Sequence, residues 1–572
     1  MARCPFRTLP ASAKQANPTN RTTWRTRLRS HGLGVLFGLI ALLVSIAGAD
    51  AASPRHASRA PVHGGTLSLA WASDMLSFDP AHALIYDWQI MNGTLYNGLY
   101  QFDRNGAPQL DLAAAPPTIS SDRKTWTFHL RKGVLFSNGM EVTADDVKFS
   151  ITRVLDPHLK PAVSWGQYTD AIFQGAQDVI AGKATSVSGI QALDRYTVRF
   201  VLTAPVAVFP DILAESFNFV VPKAVVTKES PDYFASHPVG TGPFVLQSWQ
   251  KGTKVVFARN PRYFKTGKPY LDKIIAYVNV SPSTIALKVE KGELSGFGTD
   301  GDLTAADLQQ ARNDPTYRRY LVNAPSTSSF WLTQNIHSGP LSSLPLRQAI
   351  AMAIDRGHLI KVLGGNAFPS HQFYIHLDPQ YDTTLDQHPA YAYDVQKAAA
   401  LVKTSGYHGQ PITLAYANDA PYYVSMALAI QQELQQIGLN LTLRGVSGNA
   451  FQSLSAPLNG TQLALTGWSI DFPDAYDVYA GGLSCVANAA GSPAPAHYCD
   501  QQADSLTTRA EALPLGSERD ALLRQAQARL LQSAAYTPLV YLKRVEMVSP
   551  KVSGFYYQPQ FVWQFENYSL NS

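Results

Sequence analysis

The stretch PITLAYANDAPYYVSMALAIQQELQQIGLNLTLRG, residues 411–445, decides the architecture. PITLAYA (411–417) and LNLTLRG (439–445) read as short strands, and YYVSMALAIQQELQQIG (422–438) between them has the length and pattern of a helix. The same alternation extends both ways. Upstream, PLRQAIAMAIDR (345–356) opens a helix with Pro in its first turn, and DVQKAAALVKTSG (394–406) starts at an Asp cap and stops at Gly406. Downstream come a short helix near 450–456 and the strand QLALTGW (462–468). Strands alternating with helices imply a mostly parallel sheet covered on both faces.

The first half reads differently. In DRKTWTFHLRKGVLFSNGMEVTADDVKFSITRVL (122–155), Trp126, Phe128 and Leu130 alternate as a half-buried strand, and Asn138-Gly139 makes a tight turn. Thr143 with Asp146 resembles a capping box, after which Val147, Ile151 and Val154 share one helical face. RYTVRFVL (195–202) alternates again, and FVLQSWQKGTKVVFARNPRYF (244–264) reads as two strands joined at Lys251-Gly252. This half is expected to be rich in sheet. At 572 residues the chain should divide into two or three domains.

The formal charge of +5 is unevenly placed. Residues 1–52 hold seven basic residues and one acid, Asp50, so taking their +6 from +5 leaves −1 for the remainder. A near-neutral body argues against a nucleic-acid partner, whose phosphates demand many cations. The basic segment runs into GLGVLFGLIALLVSIAGADAAS (32–53), a short apolar stretch followed by Ala49-Asp50-Ala51. That order reads as a cleaved secretory signal, shorter than the roughly 20 apolar residues of a membrane span. An uncleaved anchor is the competing reading. No Cys follows the apolar stretch, so a lipoprotein is not expected. Cys4 leaves with the signal, and Cys485 with Cys499 then forms an even pair in an oxidising compartment, which favours a disulfide over two buried thiols or a metal site with His497.

One loop draws the chemistry together. GWSIDFPDAYDVY (467–479) crowds Asp471, Asp474 and Asp477 among Trp468, Phe472, Tyr476 and Tyr479. Asp471 lies just past the carboxyl end of the QLALTGW strand, where open α/β sheets bind ligands. Paired carboxylates suggest acid–base work, while an acid beside aromatic rings suggests a pocket for a cation. A solvated loop acid is the plainer alternative.

Four stretches resemble the peptide-type (dipeptide and oligopeptide) solute-binding proteins of ABC importers, family 5. They are WTFHLRKGVLFSNGMEVTADDVKFSITR, VGTGPFVLQSWQKG followed by ARNPRYFKTGKPYLDKI, LRQAIAMAIDR, and GWSIDFPDAYDVY. They occur in the expected order across nearly the whole exported chain. The resemblance implies an α/β, two-lobed periplasmic-binding-protein fold (type II) with an enlarged first lobe carrying an extra subdomain. Its expected division is a signal and cleavage region at 1–52, lobe I at 53–325, lobe II at 326–537 and a return to lobe I at 538–572. The crossings, near Ser326–Ser329 and Ala535–Tyr541, would act as a hinge that closes on ligand.

The resemblance also implies roles. Asp471 would pair with a peptide's N-terminal ammonium, beside Trp468, Gly467, Ser469 and Tyr422, while Asp474 and Asp477 become loop caps or solvated groups. The Cys485…Cys499 spacing is similar to the disulfide of dipeptide receptors. One departure stands out: where those receptors hold the ligand carboxylate with an arginine before Pro-Tyr, this chain has Ala420 before Pro421-Tyr422. Arg444 could substitute, or the ligand could be a longer peptide or a cationic amine.

The expected partners are therefore a peptide ligand and importer permease subunits, bound by a periplasmic monomer without cofactor, metal or catalytic residues. A haem, nickel-chelate or oligosaccharide receptor of the same fold, or a carboxylate-based hydrolase, are the alternatives. His371 and His376 read as surface or loop histidines rather than metal ligands. No GxSxG elbow, P-loop or HExxH occurs.

Overall fold

The computed structural model describes residues 61–82, 86–159, 170–297, 303–324, 327–418, 420–447, 461–488, 496–556 and 563–571. The expected signal, Ser326 of the first crossing and the helix near 450–456 lie outside the described residues.

Local chemistry makes the first lobe. A four-stranded antiparallel sheet runs in the order Thr118–Ile119, Thr125–His129, Thr197–Val201, Ile190–Asp194. Trp126 and Phe128 point into its core, as their alternation requires. Thr143 and Asp146 form the expected capping box on helix Ala144–Val154. A second, five-stranded sheet places Thr66–Ala70 between Gly296–Phe297 and Lys273–Tyr277, both parallel to it. The hairpin of Lys254–Arg259 and Phe244–Gln250 completes that sheet, turning at Gly252 with φ 75°. Two nearby glycines do more than turn the chain. A Cβ on Gly240 would sit 2.1 Å from the Leu95 carbonyl oxygen, and one on Gly242 2.3 Å from its carbon. Only glycine lets that segment lie against the end of helix Tyr86–Leu95.

The second lobe is one six-stranded sheet, ordered Ala367–Pro369, Tyr536–Leu542, Ser328–Gln334, Leu463–Ser469, Ile412–Ala417, Leu441–Val446. The strand–helix–strand reading of 411–445 holds: Ile412–Ala417 and Leu441–Val446 are parallel, with helix Pro421–Gln436 between them in sequence. The expectation of a mostly parallel sheet does not hold. Pairings of Ser328–Gln334 with both neighbours, and of Ala367–Pro369 with Tyr536–Leu542, are antiparallel. The chain enters this lobe on one central strand and leaves on its neighbour, so the middle of the sheet has no crossover helix to make it parallel. Leu332, Leu414, Ile430, Leu465 and Val540 share its core. Each such side chain stabilises the fold by about 1.5–3 kcal/mol through burial.

The entering and leaving segments travel side by side. Leu321–Ala324 pairs antiparallel with Arg544–Met547, and Ser328–Gln334 with Tyr536–Leu542. Val545 and Met547 are buried with Ala70 and Ile285 of the first lobe, and Trp563, Phe565 and Tyr568 pack beside Leu67 and Phe257. Residues 53–572 form one compact unit. At one place the lobes share a core: Phe472, from the second lobe, is wholly buried among Phe128, Phe209 and their neighbours.

Candidate functional site

The site is built at the end of strand Leu463–Ser469. Gly467 faces Phe330 in register, and a Cβ there would lie 2.6 Å from the Ser329 carbonyl oxygen. The glycine therefore serves the close approach of two strands. Ser469 reaches the same neighbour, with its Oγ 2.6 Å from that of Ser328. Tyr422, in the first turn of helix Pro421–Gln436, stacks edge-on against Phe330 with centroids 5.5 Å apart, and so stands behind Gly467. Ala420, the helix's N-cap, makes no side-chain cap bond. Arg444, half-buried on the edge strand, pairs in register with Ala415.

Trp468 is held from two sides. Its Nε1 donates to Asp477 Oδ2 at 2.8 Å, and its ring covers Gly481, where a Cβ would fall 2.1 Å from Cη2. Asp477 Oδ2 also accepts the Asp471 N–H at 3.0 Å. Asp477 thus ties the tryptophan to the backbone of the next acid. Burial, and then the charge of Asp471, push the Asp477 pKa well above the ordinary carboxylate range.

Asp471 itself stands apart. It is partly exposed, and among the described residues its carboxyl receives no hydrogen bond and no ion pair. Desolvation pushes its pKa up to about 7. An acid held there without a cation is a costly arrangement.

The other two acids, expected as loop caps or solvated groups, are not solvated. Asp474 does cap helix Ala475–Val478, accepting the Tyr476 N–H. Yet it is only 5% exposed, and Arg519 donates to both of its oxygens at 2.7 Å. Gln380 adds a third side-chain bond at 3.1 Å. Asp477, 3% exposed, is equally internal. Nearby Asp378 has one oxygen without a partner, and burial together with the Asp474 charge pushes it to about 8.

Arg519 carries no motif and was missed. A signal existed: it shares a stripe with Leu522, Leu523, Ala526 and Leu530 on helix Ser517–Ser533, where an arginine on an apolar face must find internal acids. Cys485 and Cys499 are joined in a disulfide, with Cα atoms 4.4 Å apart. His376 contacts the Tyr541 hydroxyl and packs on Tyr381. His371 is pushed down to about 4 by burial and then by Arg356.

Residues 107–490 match the family described as bacterial extracellular solute-binding proteins, family 5 middle. The chain belongs to that family. It is thus a solute-binding receptor, and the family is one of receptors rather than enzymes. The dipeptide-binding protein of Escherichia coli (strain K12) is 29% identical over 495 residues, covering 83% of this chain and 89% of that protein. Di/tripeptide-binding protein 1 of Pseudomonas aeruginosa (strain UCBPP-PA14) is 29% identical over 513 residues, covering 84% and 90%. The solved structure of the periplasmic binding protein DppA from Helicobacter pylori, in complex with the peptide STSA, superposes with a TM-score of 0.76. It is 27% identical, and the match covers 89% of this chain and 99% of that one. The two-lobed α/β fold is therefore shared. No helix among the described residues is long and apolar enough to cross a membrane.

Proposed function

We propose that this receptor captures peptides by their free N-terminal ammonium, which pairs with Asp471, and delivers them to the permease of an ABC importer. The observation that carries the reading is the Asp471 carboxyl, raised in pKa and without a partner among the described residues. A half-buried carboxylate gains from pairing, so an arriving ammonium supplies what the site lacks. The names of the dipeptide- and di/tripeptide-binding relatives, and the peptide in the superposed structure, agree with that chemistry.

Trp468 lines the side-chain space, held by Asp477. Gly467 and Ser469 set the strand beneath it, and Tyr422 backs it through Phe330. With alanine at 420, the ligand's carboxylate has no fixed arginine at that position, which favours peptides longer than two residues. The mature chain works in the periplasm as a non-lipidated monomer after removal of residues 1–52. The hinge lies near Thr327 on the way out and near Lys543 on the return, because Tyr536–Leu542 stays in the second sheet throughout.

Titration calorimetry with trialanine and N-acetyl-trialanine tests the reading. Binding of the free peptide with loss of at least tenfold on acetylation supports it, that being about 1.4 kcal/mol. Equal binding of the two removes Asp471 from the site. Because Asp471 demands only an ammonium, a simple cationic amine is the second reading. Retention of such an amine, found by mass spectrometry of the purified protein, would establish it over the peptide.

A further inference from the structure

The ligand loop is also where the lobes meet. Phe472, one residue after Asp471, is buried in the core of the four-stranded sheet, and Tyr476 packs against that same core. Behind them, Arg519 is fully buried and grips two acids at once: Asp474 through both guanidinium ends, and Glu511 Oε1 at 2.6 Å. The second Glu511 oxygen, Oε2, accepts the backbone N–H of Ala207 at 3.1 Å. Ala207 belongs to the first lobe, just before helix Phe209–Ala214. A weaker bond runs the same way, from Arg123 Nη1 to the Ala512 carbonyl at 3.5 Å.

We propose that Arg519 is a positioning residue that couples ligand capture to lobe closure: it fixes the ligand loop through Asp474 and, through Glu511, fastens that loop to Ala207 of the opposite lobe. The inference rests on the reading of the 467–479 loop as the ligand site. Its chemistry depends on a carboxylate at 511. One oxygen serves each lobe, and an amide, with a single acceptor oxygen, can serve only one of them.

The first lobe also brings an acid toward this junction. Asp211, half-buried on helix Phe209–Ala214, is pushed up to about 8 by burial and then by the Asp474 charge. Asp520 adds a further carboxylate 4.0 Å from Arg519. Burial pushes Glu511 up to about 7 despite Arg519, so the clasp has its full carboxylate only above that pH.

Small-angle scattering of the ligand-free mature protein at pH 8, where Glu511 is ionised, tests the coupling. Glu511→Gln should be more open than wild type and bind trialanine about tenfold more weakly. Its preference for free over acetylated peptide should be unchanged, a split that a misfolded loop would not give. Should Glu511→Gln not fold, Ala207→Pro, which removes the donor N–H on the other lobe, still decides and should open the molecule likewise. A radius and an affinity unchanged by both substitutions would overturn the coupling. If trialanine does not bind the wild type, the peptide reading falls, and scattering alone judges the clasp.

Discussion

Asp471 gives the sharpest expectation. Its pKa in the unliganded cleft is about 7, raised by burial. Once an ammonium pairs with it, the ionised form is favoured and the pKa falls. Ammonium binding therefore expels a proton wherever Asp471 is still protonated. The sign follows: affinity is full above pH 7 and weakens as pH drops through 7, by about tenfold or 1.4 kcal/mol per unit. At pH 5.5 the loss is about 30-fold, or 2 kcal/mol.

The ratio of trialanine to N-acetyl-trialanine affinity isolates Asp471, because both peptides close the same lobes. That ratio should fall about 30-fold between pH 8 and pH 5.5 and vanish in Asp471→Asn, which should itself cost about 2–5 kcal/mol with the free peptide. Acetylation should cost the variant little further, since the two changes delete one interaction. The same raised pKa makes the empty site a liability. A carboxyl whose folded pKa exceeds its unfolded value destabilises the fold increasingly as pH climbs from about 4 to 7. Asp471→Asn should therefore raise the melting midpoint of the ligand-free protein at pH 8. A pH-independent ratio, with no stabilisation by the asparagine, would refute the reasoning.

Asp474→Asn should destabilise the protein by about 3–5 kcal/mol in urea unfolding, because it leaves Arg519 buried and half-paired; a change under 0.5 kcal/mol would deny the buried pair its role. Reducing the Cys485–Cys499 bond should lower unfolding free energy by roughly 3 kcal/mol, and the denatured, unreduced protein should show no free thiol to a labelling reagent. Gly481→Ala drives a methyl into the Trp468 ring and should cost about 1–3 kcal/mol of stability. It should also weaken trialanine binding without touching the ligand, and wild-type affinity would count against the tryptophan's role. Amidating the C-terminus of trialanine should matter far less than acetylating its amine, given alanine at position 420.

Much of the fold was readable because it rests on local rules. The Thr143 cap, the Asp394 cap, the Gly252 hairpin and the parallel pair around helix Pro421–Gln436 each depend on neighbours in sequence. What escaped depends on distant partners. Nothing near Ser328–Gln334 announces that it will lie between two antiparallel strands, one of them some 200 residues away in the chain. Gly240 and Gly242 read as turn glycines until Leu95 is placed against them. The place of Asp471 just past a strand was legible, but Asp474 and Asp477 look identical to it in sequence. Their difference is burial, and for Asp474 it is set by an arginine 45 positions on. Arg519 in turn shows its meaning only when Glu511 and Ala207 stand on either side.

The side-by-side crossing has a consequence for how the gene could be cut. Thr327 and Leu542 leave the first lobe at adjacent points, since Ala324 pairs with Arg544 and Ser329 with Tyr541. The whole second lobe is thus an insertion whose two ends meet. Ala324 and Arg544 are already partners in register on antiparallel strands, a place where a two-residue Asn-Gly turn can join the ends. Replacing residues 325–543 with that turn would make an ordinary hairpin of the ribbon and leave the first lobe a continuous chain with its own sheets. The excised lobe, its termini in adjacent strands, could be circularised or grafted as a unit, so that each half of the receptor is inheritable, and replaceable, without re-threading the other.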